Sequence, residues 1–85
     1  MDNRVAVISI IVENTDKINE LNELLHQYSE YVIGRMGIPY RQRGINIISV
    51  AIDAPQDTIA ALSGKIGKLS GVSVKTAYSA VMSDE

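Results

Sequence analysis

Between Val5 and Val12 every residue except Ser9 is apolar, and most are β-branched. A membrane span takes about 18 apolar residues or more, so the run is far too short to be one. Branching at Cβ disfavours a helix and suits a pleated strand. Ile45 to Ile52 repeats the pattern, broken only by Asn46 and Ser49. A strand with one wet face alternates apolar and polar residues. Here Val5, Val7 and Ile11 fall on one side of the first strand, with Ala6, Ile8, Ile10 and Val12 on the other. In the later strand Ile45 and Ile47 oppose Ile48, Val50 and Ile52. Both strands therefore need cover on both faces, and any fold for this chain has to supply it.

The intervening segments set the topology. Asn14-Thr15-Asp16 offers cap oxygens for a helix, and Ile18, Leu21, Leu25, Tyr28 and Val32 follow at helical spacing. Tyr31-Val32-Ile33 favours strand, so the helix is expected to end near Ser29 or Glu30. Tyr31 to Ile38 reads as a second strand, loosened by Gly34 and Gly37 and so suited to a sheet edge. Pro39 to Gly44 reads as the turn before the third strand. Asp53-Ala54-Pro55-Gln56 resembles a capping box, with Asp57 as a competing cap, and Ile59, Leu62, Ile66 and Leu69 mark a second helix face. Gly71 suits a left-handed stop. Val72 to Val81 then alternates as a fourth strand, and Met82 to Glu85 is expected to fray.

The order is β-α-β-β-α-β, the ferredoxin-like α+β pattern, over one domain spanning residues 1–85. Right-handed crossovers put the first and third strands in the middle of a four-stranded antiparallel sheet, with both helices on one face. No segment remains to cover the other face. The expected cover is another copy of the chain, a dimer or tetramer, meeting through Val5, Val7, Ile11, Ile45 and Ile47.

Chemistry-bearing residues are sparse. The 85 residues include no cysteine and one histidine, His26, which excludes disulfides and thiolate ligation and leaves no metal cage within one chain. His26 falls near the apolar edge of the first helix, where a packing or rim position is expected. No nucleophile elbow, zinc motif or argued carboxylate pair occurs, so no catalytic residue is assigned and no cofactor is implied. Gly64-Lys65 and Gly67-Lys68 lack the upstream glycine and the following Ser or Thr of a phosphate loop. Gly64 and Gly67 read instead as places where a neighbouring backbone comes close to the helix. The opening residues lack a signal-peptide pattern, and a cytoplasmic location with no membrane contact is expected.

Charge is segregated. Residues 1–30 carry a net −4 and residues 31–83 a net +4, within a chain of net charge −2. Arg41 and Arg43, near Arg35, form the basic cluster of a loop and suit a phosphate or a carboxylate. A ligand site is expected in a cleft between copies, bordered by Arg41, Arg43, Gly64, Lys65 and Gly67. Nucleic acid has no motif to support it, and an acidic pI of 5.3 disfavours it for a single copy.

One stretch goes further. The residues from Asp57 to Thr76, centred on Leu62-Ser-Gly-Lys-Ile-Gly-Lys-Leu-Ser-Gly-Val72, resemble the iron-only hydrogenase system regulators. Gly37-Ile38-Pro39-Tyr40 and the leucine-rich Asn22 to Ser29 add to the likeness. The resemblance implies an ACT-like domain, similar to the regulatory domain of the nickel-responsive repressor, working as a homo-oligomer in transcriptional regulation. It implies a small-molecule effector or a partner protein, with direct DNA binding by the oligomer as the alternative. Nickel sensing does not carry over, because that repressor uses histidines and a cysteine. Its ribbon-helix-helix segment has no counterpart before the first strand. Amino-acid binding is not implied either, since Glu13-Asn14-Thr15 lacks the glycine of the usual loop.

Overall fold

The computed structural model of the chain describes residues 3–82. Strand β1 (Asn3–Val12) pairs antiparallel with β3 (Ile45–Pro55) along its whole length, from Asn3↔Pro55 to Val12↔Asn46. On its other side β1 pairs with β4 (Val72–Met82), and β3 pairs with β2 (Val32–Tyr40). The sheet order is β2-β3-β1-β4, so the two doubly apolar strands are central, as their composition requires. Helices α1 (Ile18–Gln27) and α2 (Gln56–Gly67) lie together on one face. This is a ferredoxin-like, ACT-like α+β sandwich.

One face of each central strand makes the core. Ala6, Ile8, Ile10 and Val12 from β1 and Ile48, Val50, Ile52 and Ala54 from β3 are buried against Leu21 and Leu25 of α1 and Ile59, Leu62 and Ile66 of α2. No charged or polar residue joins them among the described residues. Burying such side chains is worth about 1.5–3 kcal/mol each, the main favourable term in a domain this small. Ser63 Oγ and Thr76 Oγ1, 3.1 Å apart, add a hydrogen bond between α2 and β4.

The ends of several elements differ from the sequence expectation, each for a physical reason. β3 does not stop at Ile52: Asp53 pairs with Val5 and Ala54 with Arg4, so the strand runs to Pro55. The expected capping box is absent, and Pro55 precedes α2 with no side-chain cap. Ladder hydrogen bonds and the complete burial of Ala54 outweigh one cap. β2 runs on to Tyr40, because an edge strand tolerates Pro39. The turn shrinks to Arg41–Gly44, closed by Gly44 at φ 65°. α1 ends at Gln27, and a 3₁₀ turn (Ser29–Tyr31) bridges it to β2. Met82 belongs to β4, while the rest of the tail expected to fray lies outside the described residues.

Two glycines separate space from conformation. Gly71 has φ 72°, and a Cβ there would stand 2.6 Å from Asn14 Cβ and 3.2 Å from the Asn14 backbone nitrogen. A methyl at exposed Gly64 would meet nothing within 4 Å. The close approach expected at both Gly64 and Gly67 therefore occurs at Gly67 alone, and it is a side chain, Val74 Cγ1 at 3.3 Å from a built Cβ. Urea unfolding at fixed protein concentration should show Gly71→Ala losing about 2 kcal/mol or more, from left-handed strain plus the clash. In the same assay Gly64→Ala should gain about 0.5–1 kcal/mol from helix propensity.

Candidate functional site

Among the described residues, the face of the sheet opposite the helices carries no layer of its own. The register lines its side chains into rows across the strands. Ile38 of β2 stands beside Ile47 of β3 and Ile11 of β1, ending at Ser73 of β4. The next row is Met36, Ser49, Ser9 and Lys75, and the one after it Gly34, Ala51, Val7 and Ala77. Tyr40 pairs with Ile45, and Val5 with Asp53, at the two ends. Val7, Ile11 and Ile47 are each about 40% exposed, and Met36, Ile38 and Tyr40 are exposed as well. Val5 and Ile45 are half-buried. The apolar surface is thus off-centre, concentrated on β2, β3 and β1, while β4 contributes serine, lysine and alanine.

Five of these residues are those picked out in the sequence. Met36, Ile38 and Tyr40 were not among them, although their spacing of two is a strand signal. Met36 and Ile38 lay within the expected β2 but were not assigned to the open face, and ending the strand at Ile38, on account of Pro39, left Tyr40 outside it.

Asp53 lies on the same face, and its Oδ1 is buried without a hydrogen-bond partner. Arg4 is on the helix side. Its Nη2 donates to the Ser79 carbonyl at 2.8 Å, its Nη1 donates to Gln56 Oε1 at 3.2 Å, and its guanidinium sits 4.8 Å from the Tyr78 ring centroid. One side chain therefore ties β1, β4 and the start of α2 together.

Shallow clefts open on the helix layer, and three of them are lined by residues of interest. A groove of about 310 Å³ between α1 and α2 has Leu24 and Leu69 in its floor, Glu20 and Glu23 on one wall and Lys65 and Lys68 on the other. Lys65 Nζ donates to Tyr28 Oη at 3.0 Å, which joins α2 to the end of α1. A cleft of about 370 Å³ separates α1 from β2 and is lined by Leu25, His26 and Arg35 among others. The third, about 480 Å³, lies among Tyr28, Glu30, Tyr31 and Asp57. The Glu30 carboxylate, by its charge and as a hydrogen-bond acceptor, lifts the Tyr31 phenol above its ordinary value of 10.0. Among the described residues no group of three His, Asp or Glu side chains converges on a metal position. None of their helices is long and apolar enough to cross a membrane.

The residues expected to hold a ligand do not meet within one chain. Arg41 and Arg43 are exposed at the β2–β3 turn, where the Arg43 amide donates to the Tyr40 carbonyl and the Gly44 amide to the Arg41 carbonyl, both at 3.2 Å. They line none of the three clefts. Lys65 lines the α1–α2 groove, and Gly64 and Gly67 are exposed on α2, which packs towards β4 at the far edge of the sheet. His26 is exposed at the rim of the α1–β2 cleft.

A βαββαβ sandwich with a largely apolar open sheet face defines a class by its fold, the small ACT-like α+β domains. Comparison with known proteins narrows this. Residues 4–76 match the TM1266-like family, described as "Iron-only hydrogenase system regulator, putative", and the chain belongs to that family. It is similar to the solved structure of uncharacterized protein TM1266 from Thermotoga maritima, with 40% identity and a TM-score of 0.86. That match covers 89% of this chain and 96% of the other. A formyltetrahydrofolate deformylase from Pseudomonas putida KT2440 matches at 15% identity and a TM-score of 0.64, over 86% of this chain and 28% of that one, a likeness of fold alone. A search of curated proteins finds no match.

The Arg4 junction generates a test. Arg4→Lys keeps the charge but loses the planar fork that spans two acceptors and stacks on Tyr78. Thermal and urea unfolding should show a loss of about 1–2 kcal/mol, more than exposed surface substitutions usually cost.

Proposed function

We propose that the chain is a non-enzymatic regulatory module of an iron-only hydrogenase system, active as a homo-oligomer whose open sheet faces pack on one another. The exposed apolar rows of β2, β3 and β1 carry this reading. Four strands spaced ~4.8 Å apart and ~30 Å long present roughly 600 Å² per copy, or about 1,200 Å² in a face-to-face pair. That exceeds the roughly 1,000 Å² expected of a specific interface. A solvent-facing sheet of this kind would be a liability for a protein that worked alone.

Regulation needs an input. Arg41, Arg43 and Lys65 supply cations at positions that only a second copy could combine, and Gly64 and Gly67 leave backbone accessible beside Lys65. An anionic small molecule bound between copies, or a docked partner protein, fits this arrangement. The family's description as a regulator supports a binding rather than a catalytic role.

Ile47→Lys, placed at the centre of the apolar rows, should lower the native mass to that of a monomer while the circular dichroism of the folded domain is retained. An unchanged mass would overturn the proposed packing. For the input, thermal-shift screening with carboxylates, nucleotides and inorganic phosphate should raise the melting temperature for one class of anion. Charge reversal at Arg41 and Arg43 should remove that rise. A salt-dependent mobility shift on hydrogenase-operon DNA, abolished by the same reversal, would instead favour the arginines as DNA contacts.

A further inference from the structure

Among the described residues nothing pairs with the outer edge of β2, and self-association through the sheet face would leave it so. β2 pairs with β3 on one side only. The irregularity between Val32 and Gly34 and the missing amide hydrogen of Pro39 bracket a regular stretch, Gly34–Ile38, every residue of which is exposed. Proteins commonly guard such an edge with a charge held in front of it. The one charge on β2, Arg35, does not stand there. Its Nη2 donates to Asn22 Oδ1 of α1 at 3.0 Å, so the guanidinium is drawn over the helix layer and the edge is left open.

Directly above that edge lies the α1–β2 cleft of about 370 Å³. Its floor is Leu25, Val32 and Val50, and its rim carries Arg35, His26 and Ser29. No carboxylate lines it. In the α1–α2 groove, by contrast, Lys65 and Lys68 face Glu20 and Glu23. Arg35 thus has a neutral amide for its partner and spare donors over an apolar hollow, which is a setting for a carboxylate on an aliphatic stem.

We propose that Gly34–Ile38 accepts an extended segment of another protein as a fifth strand. One acidic side chain of that segment enters the α1–β2 cleft, where Arg35 holds it and His26 flanks it. Backbone pairing would provide affinity and the cleft would provide specificity, as in other cases of strand addition. A second copy is the poorer occupant of this edge. Its own β2, Val32–Tyr40, contains Arg35 and no acid, so edge-to-edge pairing would bring cations together and leave the cleft unmatched. The proposal is independent of the packing of the open faces.

The test uses isotope-labelled full-length chain and three capped peptides, acetyl-Thr-Val-Glu-Val-Thr-amide and its Gln and Lys counterparts. The Glu peptide should shift backbone amides of Ile33 to Ile38 and of the cleft, and should bind about tenfold more tightly than the Gln peptide. Arg35→Gln should abolish that preference while the strand-addition shifts persist. Three results would overturn the proposal: no β2 shift at millimolar peptide, equal binding of the Glu and Gln peptides, or protection from exchange, in the free protein, of the outward-facing β2 amides that do not bond to β3. The last would mean that a second copy occupies the edge.

Discussion

Everything in this molecule follows from two central strands that are apolar on both sides. β1 and β3 bury Ala6, Ile8, Ile10 and Val12 and their β3 counterparts against the helices, which is the ordinary requirement of a two-layer sandwich. The same strands turn Val7, Ile11 and Ile47 to the other side, where no further layer of the described chain stands. A domain of 85 residues hides only about 60% of the surface its unfolded chain exposes. The described residues hold no third layer for that face. The proposed association would remove the mismatch, and it would also make the face a place where events at one copy are felt by another.

The helix layer has the opposite character. Its outer surface is charged and its clefts are shallow, and the acidic α1 and the lysines of α2 divide the groove between them. The contacts that fix the layer are few but directional: Arg4 reaching Ser79 and Gln56, Ser63 meeting Thr76, and Lys65 reaching Tyr28. Rigid positioning of the sheet with a polar outer layer suits a scaffold that binds through its faces and edges.

Much of this was legible in the residues. The doubly apolar runs at Val5–Val12 and Ile45–Ile52 located the central strands, and the three-and-four spacing of Leu21, Leu25, Leu62 and Ile66 located the helices. Leu62 to Val72 pointed to the family that the comparisons then showed. Element ends were less legible, because they are decided by pairing across the sheet. Asp53 looks like a cap until Val5 is seen to pair with it, and Pro39 looks like a turn until β2 proves to be an edge. The apolar contribution of Tyr40 was lost with that second misreading, and Met36 and Ile38 were passed over because the glycines around them mark a loose edge strand. A site of the kind proposed, which would combine distant side chains such as Arg41 and Lys65, has no signature in the spacing along one chain.

The central claim is that the isolated chain is an incomplete unit. Sedimentation equilibrium of the unmodified protein across the micromolar range tests it most directly. The account predicts a mass of two or four chains that holds on dilution, without a monomer at the lowest concentrations. A single-chain mass of 9.3 kDa throughout, with the fold intact, would contradict it.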